Sequence, residues 1–467
     1  MSQNRFGVSR RQFLKAAGVT AAGSVLAACT PAATQAPQPT AAPVAAQLEG
    51  SIEVGCFYTE GPWFDIHKSV GDSIIKDFPN VQIKYTDANT ATDPARVLRW
   101  QAGDPLDVDF GRFNNQAPPT WEWADNDYLY DLTPHMQDTL PSGEKWGDTF
   151  LSALDGMDYD QREGSKTKGK RLGVAFELVL MLMQYNMQIF EDLGVEPATN
   201  WPDFLNLCET IRSKGVKPIC VSGPTFYYTC HWWDRLIQRV VGQQAVLDVT
   251  YGKAKLADNP GFLTAAQEIQ KLIDNDWLMD GYESADFTVS QAMFFQGQAA
   301  MIHQGSWLTS EMKDAIPEGF RLGAFDFPAY PSGKGEQNAM FGQSQAMHIP
   351  NPAKSTSHKV NVELAVEFLK RRTAKDVQQK SATEQAVISP IKGVSAPATL
   401  PGIDKVLANL ATAPFIVYYY GHHWDQALTQ AWMVPTQALF LKEIKAEQMI
   451  EQIDKNLEQY RAQKQTS

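Results

Sequence analysis

Four stretches of this chain set flat aromatic rings beside hydrogen-bonding side chains. The first is Tyr58-Thr59-Glu60-Gly61-Pro62-Trp63. The second is Gly111-Arg112-Phe113-Asn114-Asn115. The third is Thr225-Phe226-Tyr227-Tyr228-Thr229-Cys230-His231-Trp232-Trp233. The fourth joins Trp307 to Phe341-Gly342-Gln343 and to His422-His423-Trp424-Asp425. Rings of this kind stack on the C–H faces of a ligand, and carboxylates, amides or a guanidinium pair with its hydroxyls. Neutral sugars present both surfaces. The candidate ligand-binding residues are therefore Glu60, Trp63, Arg112, Asn114, Tyr227, Trp232, Trp307, Gln343, Trp424 and Asp425. Arg112 and Asn114 follow the C-terminal end of a strand-like run, where α/β sheets bind ligands. Tyr227 and Trp232 are the stacking candidates of the third stretch. Phe113, Trp121 and Trp123 suit packing.

Covalent chemistry finds less support. The chain lacks a GxSxG nucleophile turn, an HExxH zinc motif and a Gly-rich phosphate loop. A glycosidase needs two carboxylates about 5–10 Å apart. Glu60, Asp425 and the Asp104, Asp107 and Asp109 cluster could be drawn that way, but no motif joins them. His231 has no second His or Cys at a chelating spacing. His422 and His423 are adjacent, so on a helix they point in different directions. The chain reads as a binding protein, with no metal and no cofactor.

The elements that must position these loops alternate. Segment 51–57 reads as a strand and 64–78 as a helix, with Ile66, Val70, Ile74 and Phe78 on one face. Strand 81–85, helix 94–101 and strand 106–110 follow, in βαβαβ order. That order predicts an α/β lobe with a largely parallel sheet. Segment 172–185 is a long apolar extended run broken by Glu177, long enough to cross between lobes. Helices are expected at 202–214, 231–241, 261–275, 359–370 and 436–462, and strands at 217–221 and 298–303.

The N-terminus supplies an address. Ser9-Arg10-Arg11-Gln12-Phe13-Leu14-Lys15 reads as a twin-arginine export signal, followed by an apolar run over 16–28 and by Leu26-Ala27-Ala28-Cys29, a lipoprotein cleavage box. That run is too short to span a bilayer, which takes about 20 helical residues. Residues 1–28 are expected to be removed, leaving a lipidated Cys29 on the outer face of the cytoplasmic membrane. Residues 29–48 form a Pro/Ala-rich tether that could reach about 55 Å if extended. Losing Arg5, Arg10, Arg11 and Lys15 but no acidic residue moves the formal net charge from −12 to −16. An acidic body argues against nucleic acid. Cys56, Cys208, Cys220 and Cys230 lack CxxC spacing and read as buried free thiols rather than a zinc site or a bridge.

Four further motifs, in order, carry a resemblance. They are Phe176-Glu177-Leu178-Val179-Leu180-Met181-Leu182-Met183-Gln184-Tyr185-Asn186; Phe190-Glu191-Asp192-Leu193-Gly194 with Thr199-Asn200-Trp201-Pro202-Asp203-Phe204; Gln296-Gly297-Gln298-Ala299-Ala300-Met301 with Gly305-Ser306-Trp307; and Ala365-Val366-Glu367-Phe368-Leu369-Lys370. Together they resemble the extracellular solute-binding proteins of ATP-driven importers, in the carbohydrate-binding group that includes maltose-binding protein. The resemblance covers most of 52–463.

It implies two α/β lobes joined by hinge strands, with the ligand in the cleft between them. The implied division is 49–175 plus about 340–388 for lobe one, and about 176–339 plus 389–467 for lobe two. It also implies that Glu60 is a hydroxyl acceptor in a cleft-facing loop, and that Trp307 matches the family's cleft tryptophan. Trp424 and Asp425 match an aromatic-containing segment near its C-terminal helix. The implied partners are a sugar or oligosaccharide and the permease subunits of an ABC importer, met by a monomeric receptor. A polyol or glycerol phosphodiester is the alternative ligand, and an exported glycosidase the alternative activity.

Overall fold

The structure, a computed structural model, describes residues 47–88, 93–111, 123–155, 159–160, 165–385, 387–395, 403–417 and 426–466. The signal segment, Cys29 and nearly all of the tether lie outside the described residues. Strand β1 (Gly50–Cys56) buries Ile52, Val54 and Cys56 on alternate positions. Helix α1 (Gly61–Asp77) buries Ile66, Val70 and Ile74, four residues apart on one face. Strand β2 (Val81–Asp87) then pairs parallel with β1. Helix α2 (Asp93–Gln101) leads to β3 (Asp109–Gly111), and a parallel bridge from Val54 to Val108 extends that edge. The βαβαβ order is present.

The long apolar run is strand β4 (Val174–Asn186). Asn186 ends it by capping helix α3 (Met187–Leu193), its side chain accepting from the Gln188 and Ile189 N–H groups. Gly194 ends that helix at a left-handed φ of 65°, where glycine carries no Cβ penalty. Asn200 caps α4 (Trp201–Ser213) with Pro202 in its first turn. Strand β5 (Lys217–Cys220), helices α5 (Phe226–Val240), α6 (Gln243–Thr250), α7 (Pro260–Asp274) and α8 (Phe287–Phe295), strand β6 (Ala299–Gly305), the short helix α9 (Leu308–Glu311) and β7 (Leu322–Phe325) complete the outward path.

Strand β8 (Met340–His348) brings the chain back to α10 (Val362–Arg372) and α11 (Lys375–Gln385), which pack on α1. Helix α12 (Ile403–Thr412) packs both on β7 and on the turn Ser152–Leu154. Strand β9 (Ile416–Val417) pairs with the start of β8, and α13 (Gln426–Phe440) and α14 (Ala446–Thr466) pack against α7. The result is a two-lobe α/β fold.

One seven-stranded sheet carries both lobes, in the order β3-β8-β4-β6-β5, with β7 also on β4 and β9 on β8. Strand β4 pairs with β8 over Val174–Leu180 and with β6 and β7 beyond it. The expected boundary at 175/176 lies within β4. All three of those pairings are antiparallel. Parallel pairing holds where the βαβαβ order predicts it, for β1 with β2 and at the Val54–Val108 bridge, and also for β5 with β6 and β8 with β9, while the crossing strands pair antiparallel. The reason is the chain path, which leaves the first lobe on β4 and returns on β8. Gly342 makes the crossing close, since a Cβ there would run into the Val179 carbonyl.

Two helix boundaries also differ. The predicted helix over 436–462 is two helices, α13 and α14, broken by a turn in which Lys442 has a positive φ of 63°. Helix α5 starts five residues before the expected 231, so Tyr227 and Tyr228 stand on its first turn.

Candidate functional site: a polar floor between aromatic walls

The site is built from the β4–β8 pair upward. Glu177 stands opposite Gln345, Leu178 opposite Ser344, and Val179 opposite Gln343. Opposed residues share a face and alternate residues return to it, so Glu177, Gln345 and Gln343 line the same side. A bulge between Ala175 and Glu177 resets the alternation just before the acid. All three side chains are more than nine-tenths buried. The Oε1 atoms of Gln343 and Gln345, and the Ser344 hydroxyl, have no partner among the described residues. The Glu177 carboxyl likewise accepts no hydrogen bond there. Buried polar groups are normally paired, so three unmet ones on one face call for an outside partner.

Burial raises the Glu177 carboxyl well above its ordinary range, and the Arg372 charge offsets only part of that. Arg372 is itself fully buried, 4.6 Å above the Phe176 ring, and desolvation lowers it to about 10.

The first lobe supplies one wall. Tyr58 is 52% exposed and meets Trp63 edge to face at 6.0 Å. Its phenol is raised by burial and then by the charges of Glu311 and Glu177. Glu60 is exposed at the N-cap of α1 and makes no side-chain cap bond. Gln385 donates to the Pro62 carbonyl, tying this loop to α11.

A second aromatic group gathers around β6, α5 and α9. Trp307 is half-buried at the start of α9, and its indole lies over Gly305, where a Cβ would overlap the six-membered ring. This is the physical content of the Gly-x-Trp spacing. The Tyr228 hydroxyl lies against the Gln304 and Trp307 side chains, and burial raises it. Its ring stacks on Phe287 at 5.9 Å. Glu311 accepts from Gln291 at 2.9 Å.

The expected residues fare differently. Trp63, Trp307 and Gln343 sit on the walls and floor, and Glu60 lies nearby in the Tyr58 loop. Tyr227 is half-buried and packs on Phe226 at 4.2 Å. Trp232 is a correction: at 1% exposure it is core, packed on His303 at 5.1 Å and Phe327 at 5.6 Å. It lies on the inner face of α5, where a large ring fills the lobe interior. Arg112, Asn114, Trp424 and Asp425 lie outside the described residues. The four body cysteines are buried and free, and no metal-binding cluster occurs among the described residues.

Residues missed from sequence are Tyr58, Glu177, Tyr228, Glu311 and Gln345. A signal existed for two of them. Glu177 is a lone acid in an apolar strand, and Gln343-Ser344-Gln345 is a polar run inside another buried strand.

Comparison with known proteins agrees with this architecture. Residues 69–379 match the family described as bacterial extracellular solute-binding protein, and residues 7–27 match the TAT (twin-arginine translocation) pathway signal sequence. The chain belongs to the bacterial extracellular solute-binding protein family and carries a twin-arginine export signal. It is 24% identical over 373 residues to the multiple sugar-binding protein of Streptococcus mutans, covering 75% of this chain and 79% of that one. It is 25% identical over 359 residues to the alpha-glucosides-binding periplasmic protein AglE of Rhizobium meliloti, covering 72% of each. Among solved structures, the bacterial solute receptor AcbH superposes with a TM-score of 0.72 at 16% identity, over 88% of this chain and 99% of that one. These relatives are binding proteins. No described helix is long and apolar enough to cross a membrane.

Proposed function

We propose that this protein is an extracytoplasmic receptor that captures a carbohydrate in its interlobe cleft and delivers it to an ABC importer. The observation that carries the reading is the unpartnered polar floor, Glu177 with Gln343 and Gln345, set between Tyr58–Trp63 and Tyr228–Trp307. Hydroxyls would meet the floor and C–H faces would meet the rings. The names of the relatives support the ligand class: multiple sugars for the Streptococcus mutans protein, alpha-glucosides for AglE and β-D-galactopyranose for AcbH.

The mechanism is a shift of population. The floor belongs to the strands that join the lobes, and the walls belong to different lobes. A ligand touching all three gains most contacts when the walls approach, so binding favours the closed form that an importer would recognise. The protein acts without covalent chemistry, as a monomer. After signal removal it is held to the outer face of the cytoplasmic membrane by lipid on Cys29, with the Pro/Ala tether as its leash.

Thermal melts and calorimetry of the body against mono-, di- and oligosaccharides test this. A ligand at one hundred times its dissociation constant stabilises the native state by about 2.7 kcal/mol, a rise of a few degrees. Failure of every sugar overturns the carbohydrate reading. A rise with a polyol or glycerol phosphodiester alone replaces it, and turnover of a glycoside overturns the binding-only assignment. Cys29→Ala should move the exported protein from membranes to the soluble fraction; unchanged membrane partitioning refutes the anchor.

A further inference from the structure

A second cavity lies between α12 and the β7 edge, with a volume of about 470 Å³. It shares no lining residue with the group around Glu177. Its base is fixed. Asp326 lies 3.3 Å from the Arg239 guanidinium and 3.6 Å from that of Arg235, both fully buried on α5. Its rim is uncommitted. Glu196, Asn338, Lys405 and Asn409 line it, and none of their side chains makes a hydrogen bond or ion pair among the described residues. Tyr185, half-buried at the end of β4, adds an aromatic wall next to Glu196.

The chemistry of this rim is specific in kind. A carboxylate, an ammonium and two amides alternate acceptors and donors around one cavity, beside a ring. Opposite charges on the rim cancel, so a neutral ligand with many hydroxyls fits better than an ion. The volume lies within the roughly 300–1,000 Å³ of small-molecule sites. We propose that this flank cavity is a second binding site, taking a neutral saccharide unit independently of the interlobe cleft.

Saturation-transfer NMR with D-glucose, D-galactose and D-xylose tests it, using the whole body and a cleft-disabled variant, Glu177→Gln with Trp307→Ala. At least one of the three sugars should keep its signal in the cleft-disabled protein. Asn409→Trp, which fills the cavity from an exposed helical position, should lower that signal at least fivefold, and Lys405→Glu is the backup if Asn409→Trp does not fold. Loss of all signal in the cleft-disabled protein, or a signal that the flank substitution leaves unchanged, overturns the proposal. So does a flank-sensitive signal from glycine instead of a sugar. A wild-type signal that ignores the cleft substitutions but falls with Asn409→Trp sinks the cleft reading and leaves this one standing.

Discussion

Glu177 and Gln345 face each other across the β4–β8 pair, both more than nine-tenths buried, and the Glu177 carboxyl and the Gln345 carbonyl oxygen have no hydrogen-bond partner among the described residues. Two polar side chains in that state are a standing cost to the fold. A cost of this kind persists where a ligand removes it.

Glu177→Gln separates the cost from the use. Losing a hydrogen bond to a buried uncharged group costs about 0.5–1.5 kcal/mol, so sugar affinity should fall roughly 2- to 12-fold by calorimetry. Stability should move the other way. The folded carboxyl is raised above its ordinary 4.5, so its contribution is favourable near that pH and is lost as pH rises through the raised value. The variant should melt higher than wild type at pH 8, with the gap closing towards pH 5. Equal melting across that range would remove the buried-acid account.

Gly305→Ala tests the seat of Trp307. The added Cβ would overlap the indole, which must swing away. Sugar affinity should drop about as far as in Trp307→Ala, with an unchanged far-ultraviolet circular dichroism spectrum. Wild-type affinity in Gly305→Ala would show that the indole's seat is not used.

Trp232 and Trp63 should part company. Trp232→Ala opens a cavity in the core and should cost about 3–5 kcal/mol in denaturant melts. Trp63→Ala, on the half-buried wall, should cost less than about 1 kcal/mol of stability and weaken sugar binding. A stable Trp232→Ala with lost affinity would return that ring to the site.

Acid should destabilise the body in two stages. Burial holds His67 and His303 well below their ordinary 6.5, His231 at about 3 and His348 at about 4. All four are neutral in the fold but take protons when unfolded, so stability present above pH 6.5 is lost as pH falls. Glu53 adds a second stage. Burial alone would raise it, but hydrogen bonds from Arg99, Lys84 and Thr86 outweigh that and hold it at about 2. Its contribution is therefore lost from about pH 4.5 down to 2. Melting temperatures measured from pH 7.5 to 3 should decline through both windows, and His303→Phe should flatten the first. A flat profile from pH 7 to 5 would contradict the buried neutral histidines.

Local rules written into single segments were legible in the sequence. The twin-arginine signal, the face of α1 and the Gly305–Trp307 spacing all depend on neighbours a few residues away, which periodicity and motif order expose; the caps made by Asn186 and Asn200 came only with the structure. Trp307 and Gln343 are candidates from the aromatic and amide character of their own segments, whereas Glu177, which stands out as much in its strand, is not among them. Tertiary structure decided the rest, because it turns on pairing across long separations. That the main sheet is mostly antiparallel follows from β4 meeting β8 more than 150 residues later. That Trp232 is core while Tyr228 lies beside Trp307 follows from how α5 is rotated against β6. Glu177 stands beside Gln345 only because a bulge and a partner strand set it there, without a described hydrogen-bond donor.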